Sequence, residues 1–124
     1  MSEHDEQTAV IDWCKCQERQ HPELALIFAV PNVGTGSAVR GAKMKAEGLK
    51  AGVPDLCMPV ARGQYHGLFI EMKFGKNIPT DSQQWWLTQL TEQGYFVIVC
   101  WSADEAIAVI ENYLAMDNPN ELSY

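Results

Sequence analysis

The chain has 124 residues, a net charge of −7 and an ordinary globular composition of 47% hydrophobic and 20% charged residues. Its length predicts one domain that buries a core without needing a disulfide or a zinc site. No apolar run approaches the roughly 20 residues that span a bilayer, and the acidic start MSEHDEQ is unlike a secretory or transit peptide. We therefore expect a cytoplasmic protein with no membrane partner, and its four cysteines as free thiols.

The acidic net charge weakens the case for a nucleic-acid partner without excluding one, because the distribution of charge matters more than its sum. The acidic residues concentrate at the two ends of the chain, and a divalent metal would reverse the local sign at an acidic site. Positive side chains cluster in one short segment, as Arg40, Lys43, Lys45 and Lys50. We expect these four to contact nucleic-acid phosphates. The alternative is a solvated helix surface.

The first half of the chain predicts a helix, a strand and a second helix. Apolar positions recur at helical spacing over residues 3–20, and His21-Pro22 ends that helix. The apolar run 24–30 has the length of a strand, and the PNVGTG segment at 31–36 has the chemistry of a loop. Ser37 is a candidate N-cap for a short helix that extends to about residue 50.

The second half predicts a hairpin of two strands, then a helix, a strand and a last helix. Capping boxes begin both helices, and YFVIVCW is the most strand-like run of the chain. The predicted bounds are 55–60 and 67–73 for the hairpin strands, 80–94 for the helix, 95–101 for the next strand and 102–115 for the last helix. Because the helix at 80–94 is a crossover, the strands on either side of it are expected to be parallel.

The predicted order is therefore α-β-α-β-β-α-β-α. This is an α/β fold with a mixed central sheet flanked by helices. We expect a single domain over residues 1–116, followed by a frayed tail at 117–124.

The most informative stretch is a Pro-Asp followed by a Glu-x-Lys. Side chains alternate along a strand, so Glu71 and Lys73 share one face. The residues expected on the opposite, core face are Leu68, Ile70 and Met72. If the hairpin turn is centred near Gly63, Asp55 lies opposite Glu71, with Cβ atoms about 4.5–5.5 Å apart. The alternative is a solvated strand face with an incidental ion pair.

Two carboxylates at that separation repel each other unless a cation lies between them. Mg²⁺ is the natural candidate, because it prefers one or two carboxylates together with waters and substrate phosphate. Lys73, next along the same face, is placed to stabilise developing charge or to orient an attacking water. The pattern therefore predicts metal-assisted phosphodiester hydrolysis.

The ordered set of motifs resembles the PD-(D/E)XK nuclease superfamily, and within it the VRR-NUC branch. The matching segments are P-N-x-G at 31–34, G-V-P-D-L at 52–56, F-I-E-M-K at 69–73 and T-x-x-Q at 80–83, followed by Trp86, Leu90 and Gly94. The match extends over roughly residues 3–115, in the family's order. It implies a restriction-endonuclease-like fold.

The resemblance also assigns roles to individual residues. Asp55 and Glu71 resemble the metal-binding carboxylates and Lys73 the catalytic lysine, and the backbone carbonyl of Met72 completes the implied coordination. Gln83 resembles the glutamine that begins the helix after the E-x-K strand and counts among the catalytic residues. A purely structural role for Gln83 in the capping box is the alternative, and the neighbouring Gln84 competes for the site.

The family pattern includes an acidic residue on the first helix. Glu6 is our choice as a metal ligand, because it lies just before the apolar stripe of that helix. Glu3 and Asp5 are the alternatives. Adjacent helical residues diverge by about 100°, so only one of Asp5 and Glu6 is expected to face the site.

These features predict a Mg²⁺-dependent DNA endonuclease in which Mn²⁺ substitutes for Mg²⁺. The resemblance implies branched DNA, such as a four-way junction, as the substrate of a homodimer. A non-catalytic nucleic-acid-binding module that retains the nuclease fold is the alternative, and RNA is a further possible substrate. No nucleotide cofactor is expected, because Gly34-x-Gly36 does not continue into a G-x-G-x-x-G motif.

Overall fold

The computed structural model describes residues 1–31 and 37–121 of the chain. Four α-helices are present: Glu3–Gln17 (α1), Ala38–Ala46 (α2), Asp81–Glu92 (α3) and Ala103–Leu114 (α4). The strands are Phe28–Ala29 (β1), Leu56–Met58 (β2), Leu68–Met72 (β3) and Phe96–Cys100 (β4). The predicted α-β-α-β-β-α-β-α order and the α/β class are confirmed. The Gly34-x-Gly36 motif lies outside the described residues.

The strands form one mixed sheet in the order β1-β2-β3-β4. β1 and β2 pair antiparallel, as do β2 and β3, whereas β3 and β4 pair parallel across the α3 crossover. In the β2–β3 hairpin Leu56 pairs with Ile70 and Met58 pairs with Leu68. This is the register predicted from a turn near Gly63, and extended by one pair it places Asp55 opposite Glu71.

One face of β3 forms the centre of the hydrophobic core. Leu68, Ile70 and Met72 are each at most 1% exposed, as the alternation of the strand predicts. They belong to the same buried cluster as Val10 of α1 and Ile110 of α4. The side chains of β3 that point away from this core are therefore the ones available to a site.

The prediction of a strand over residues 24–30 is wrong for its first half. Residues Pro22–Leu26 form a 3₁₀ helix, and only Phe28–Ala29 are in the sheet. Proline suits the first helical position because its fixed φ costs nothing there and its missing N–H is not needed. The turn also buries Leu24, which is 1% exposed. An apolar run of this length does not distinguish a strand from a short helical turn.

The end of α2 and the C-terminal tail can also be compared with the sequence prediction. α2 ends at Ala46 rather than near residue 50, and Gly48 follows it with a φ of +105°, a conformation that glycine adopts without a Cβ penalty. Near the C-terminus, the Gly63 amide donates to the Asp117 carbonyl at 2.6 Å. Residues 122–124 of the predicted tail lie outside the described residues. None of the described helices is long and apolar enough to cross a membrane.

Candidate active site

Asp55 is held by hydrogen bonds on both its backbone and its side chain. It lies directly before β2, where its carbonyl accepts from the Val30 amide at 2.8 Å. Its Oδ2 accepts from the Met72 amide at 2.7 Å. Because both groups are fixed by neighbouring strands, the orientation of the Asp55 carboxylate is set by the sheet.

Glu71 is a buried carboxylate on the non-core face of β3. The residue is 1% exposed, and its Oε1 has no hydrogen-bond partner among the described residues. Its Oε2 lies 3.7 Å from Nζ of Lys73, which is itself 7% exposed. Burial, followed by the charge of the nearby Asp55, raises the pKa of Glu71 to about 8, and Lys73 opposes this rise. The site therefore disfavours a second negative charge unless positive charge is added.

Three acidic side chains converge at this point. One carboxylate oxygen from each of Glu3, Asp55 and Glu71 lies within 4.8 Å of the others. Glu3 and Asp55 are partly exposed, whereas Glu71 is buried. Hard divalent cations such as Mg²⁺ and Mn²⁺ take carboxylate oxygens as ligands. The unpartnered Oε1 of Glu71 is the atom that such a cation would satisfy, so the donor set fits the metal that the sequence implies.

The structure brings Glu3, and not Glu6, to this cluster. Oε2 of Glu6 instead accepts from the Ala103 amide at 2.7 Å, at the start of α4. Asp5 is exposed, and its Oδ2 lies 3.9 Å from the N-terminal ammonium group. The choice of Glu6 as the acid that faces the site is thus corrected to Glu3. The first helix offers three acids in its opening turn, and its periodicity alone does not reveal where α4 begins.

Gln83 makes both contacts that the sequence presented as alternatives. Its side-chain Oε1 accepts from the Thr80 backbone amide at 2.8 Å, and its own backbone amide donates to Thr80 Oγ1 at 3.3 Å. These two bonds complete the capping box of α3. Its Nε2 donates to Oε2 of Glu71 at 3.3 Å. Gln84 points elsewhere, since its Nε2 donates to the Pro79 carbonyl. The side-chain amide of Gln83 therefore joins the start of α3 to the acidic cluster.

The predicted basic residues divide into two groups. Lys50 lines a narrow cleft together with Asp55 and Gln83. The other three are exposed on α2, which buries none of its side chains, and they are absent from the lining of that cleft: Arg40, Lys43 and Lys45. Lys50 is thus brought to the site, and the α2 residues lie on a separate helix surface.

Met72 contributes its backbone to the site, while its side chain lies in the core and is 0% exposed. The contact that the structure shows is made by its amide, which donates to Asp55. A role for its carbonyl oxygen in holding a metal stays a prediction.

The VRR-NUC domain family matches residues 1–104 of the chain. A solved structure described as a VRR_NUC domain protein is similar to it, with a TM-score of 0.80 and 34% sequence identity over 95% of this chain and 92% of its own. No match was found among curated proteins. These similarities confirm the predicted restriction-endonuclease-like arrangement and agree with the PD-(D/E)XK pattern.

Proposed function

The chain belongs to the VRR-NUC family and is a nuclease-type domain, and we propose that it is a Mg²⁺-dependent endonuclease that hydrolyses DNA phosphodiester bonds. The observation that carries the proposal is the orphaned oxygen of Glu71. A buried carboxylate oxygen with no donor is costly. Here it belongs to a carboxylate that has an oxygen within 4.8 Å of those of Asp55 and Glu3. A cation held by these three acids would pair that oxygen and offset their mutual repulsion.

Asp55, Glu71 and Glu3 are the residues that would hold the metal. Asp55 is oriented by the Met72 amide, so the Asp55 carboxylate needs little reorganisation before a cation binds. A divalent cation at these ligands neutralises phosphate charge and lowers the pKa of water, which is the chemistry that phosphodiester hydrolysis needs at neutral pH.

Lys73 supplies a fixed positive charge on the same strand face. Lys73 is 7% exposed and its Nζ lies 3.7 Å from Oε2 of Glu71, so its positive charge is held close to that carboxylate. Its backbone is fixed as well, since its amide donates to the Cys100 carbonyl at 2.9 Å. We assign to Lys73 the stabilisation of charge that develops on the phosphate, or the orientation of the attacking water.

Gln83 has the role of a positioning residue in this proposal. Its bond to Oε2 of Glu71 leaves Oε1 as the oxygen without a partner. The Oε1 of the same side chain accepts from the Thr80 backbone amide. Gln83 therefore fixes the position of the Glu71 carboxylate relative to the start of α3. Gln83 would thus keep one oxygen of Glu71 turned toward Lys73 and the other available to a cation.

Positive side chains near the cleft would contact the DNA backbone. Lys50 lines the cleft together with Asp55 and Gln83, and it would contact a phosphate next to the one that is cut. The three cations of α2 are exposed and would contact phosphates farther along the strand. These contacts would offset the repulsion between DNA and a chain whose net charge is −7.

We extend the proposal to branched DNA, such as a four-way junction, cut by a homodimer. Within residues 1–31 and 37–121 the carboxylates form a single three-acid cluster. Cutting two strands of a junction at once therefore requires two copies of the chain. Sedimentation of the protein with and without junction DNA tests the dimer, and comparison of junction, linear duplex and matched RNA substrates tests the selectivity.

The decisive experiment measures cleavage by wild type and three variants with Mg²⁺ or Mn²⁺. We expect Glu71→Gln and Lys73→Met to lower the cleavage rate by at least about 10²-fold. Lys76→Met is the matched control, since Lys76 is an exposed lysine in the loop that follows β3, and it should cut like the wild type. Calorimetric titration with Mn²⁺ separates the two roles, because Lys73→Met should still bind the ion and Glu71→Gln should not.

Two outcomes would refute this proposal. Full activity in EDTA would exclude the metal mechanism. Binding of DNA without cleavage, across several metals and DNA structures, would instead favour a non-catalytic nucleic-acid-binding module that retains the fold. Faster cleavage of the matched RNA would reassign the substrate and leave the chemistry in place.

A further inference from the structure

Glu6 connects the first helix to the last one. Its Oε2 accepts from the backbone amide of Ala103, a residue 97 positions away in the chain, at 2.7 Å. The side chain of Glu6 is partly buried, and Ala103 is 7% exposed. This carboxylate therefore makes a hydrogen bond within the protein, although the residue is partly exposed.

The start of α4 explains why an acid is needed at this position. The first amides of an α-helix have no partner within the helix. Ser102 Oγ accepts from the Glu105 amide at 3.1 Å, and Glu6 accepts from Ala103. A carboxylate is also favoured at a helix N-terminus by the helix dipole. Loss of this acceptor would leave the buried Ala103 amide unpaired.

The same contact fixes where α1 begins relative to the sheet. α4 starts three residues after Cys100, the last residue of β4, and Cys100 pairs with Met72 next to Glu71. Glu6 thus fixes the position of the first turn of α1 relative to β3 and β4, the strand pair that carries Glu71. Glu3 is the first residue of α1 and lies one turn before Glu6, so both project from the same side of the helix.

The first turn of a helix frays readily unless something holds it. α1 reaches the core only from Val10 onward, since Val10 and Cys14 are its buried residues. Ahead of Val10, the Ser2 cap bonds within the same turn and does not attach it to the rest of the protein. Glu6 supplies that attachment.

We propose that Glu6 is a positioning residue that clamps the first turn of α1 to the start of α4 and thereby holds the carboxylate of Glu3 beside Asp55 and Glu71. The inference rests on the proposed function, in which Glu3 is a metal ligand. It assigns to Glu6 no contact with the metal or the substrate.

The test is calorimetric titration with Mn²⁺ alone. We expect Glu6→Ala to weaken Mn²⁺ binding about tenfold, the size of effect typical of residues that orient metal ligands. Glu6→Gln retains an acceptor for the Ala103 amide and should stay within about twofold of the wild type. Asp5→Ala, in the same turn but exposed, is the matched control and should also stay within about twofold.

A double-mutant cycle separates positioning from general damage to the site. In a Glu3→Gln background, Glu6→Ala should have no further effect on Mn²⁺ binding, because it acts through Glu3. Hydrogen exchange of the metal-free protein gives a second readout. Amides in the first turn of α1 and at Ala103 should exchange faster in Glu6→Ala, while those of α3 stay unchanged.

The outcomes against the inference differ from those against the proposed function. Equal Mn²⁺ affinity in Glu6→Ala and wild type, or the same tenfold loss in the Glu3→Gln background, would overturn the positioning role. A wild-type protein that binds no Mn²⁺ would overturn the metal centre itself. Unchanged exchange in the first turn of α1 would overturn the clamp, whatever the metal does.

Discussion

The buried carboxylate of Glu71 should make the stability of the metal-free protein depend on pH. Burial and Asp55 raise the pKa of Glu71 from 4.5 to about 8. Between these values the folded protein holds a proton that the unfolded chain has released. The contribution of Glu71 to the free energy of unfolding is therefore fully present below pH 4.5 and is lost as the pH rises from there through about 8, because the folded protein must either hold a proton or ionise a buried carboxylate.

The size of the effect follows from the pKa. One pH unit corresponds to about 1.4 kcal/mol, so a pKa moved from 4.5 to about 8 gives a ceiling of about 5 kcal/mol. Water drawn to the ionised carboxylates relieves part of this cost, and we expect about 2–4 kcal/mol. In a domain of this length that is roughly 10 °C in Tm.

Glu71→Gln keeps the shape of the side chain and an acceptor for Gln83 while removing the titration. Thermal and urea unfolding in EDTA should give similar stabilities for this variant and the wild type at pH 5. At pH 9 the variant should be more stable by about 2–4 kcal/mol. Glu92→Gln, at the exposed end of α3, is the matched control and should follow the wild type at both pH values.

Metal offsets this stability difference between Glu71→Gln and wild type at high pH. Saturation with Mn²⁺ at 100 times its dissociation constant should stabilise the wild type by about 2.7 kcal/mol and leave Glu71→Gln unchanged. A stability difference between Glu71→Gln and wild type that is the same at pH 5 and pH 9 would refute the argument. It would mean that Glu71 ionises in the folded protein as easily as in the unfolded chain.

Four further substitutions test the fold and the surroundings of the site. Gly52→Ala should destabilise the fold by about 1–3 kcal/mol in urea unfolding, because Gly52 has a φ of +91° and a Cβ there would lie 2.9 Å from the Ser82 backbone; wild-type stability would contradict this. Tyr113→Phe should lower the free energy of unfolding by about 1–2 kcal/mol without changing cleavage, since it removes a buried 2.6 Å hydrogen bond; a loss of cleavage would contradict its structural role. Gln83→Ala should slow cleavage about tenfold or more while Gln84→Ala does not, as measured by initial rates; equal rates for the two variants would remove Gln83 from the site.

Local sequence features were sufficient to predict much of the sheet and part of the site. Alternation in β3 separated the core residues Leu68, Ile70 and Met72 from Glu71 and Lys73, because strand side chains point to opposite faces in turn. The hairpin turn then set the register that places Asp55 opposite Glu71. Such inferences work because each depends on neighbours within one strand or one hairpin.

Other features depended on contacts between distant segments, and only the tertiary structure decided them. The run at 24–30 has no periodicity that separates a strand from a 3₁₀ turn, and burial of Leu24 resolved it. The sequence allowed Gln83 to be either a helix cap or a site residue, because it does not reveal that α3 begins beside Glu71.

The choice among the acids of α1 shows this limit most clearly. Glu3 and Glu6 share one face of the helix, so periodicity allows either of them at the site. The start of α4 distinguishes the two acids. The Ala103 amide donates a hydrogen bond to Glu6, whereas Glu3 lies beside Asp55 and Glu71. The sequence by itself determined the strand that carries the chemistry, and the packing of α1 against α4 determined which acid joins it.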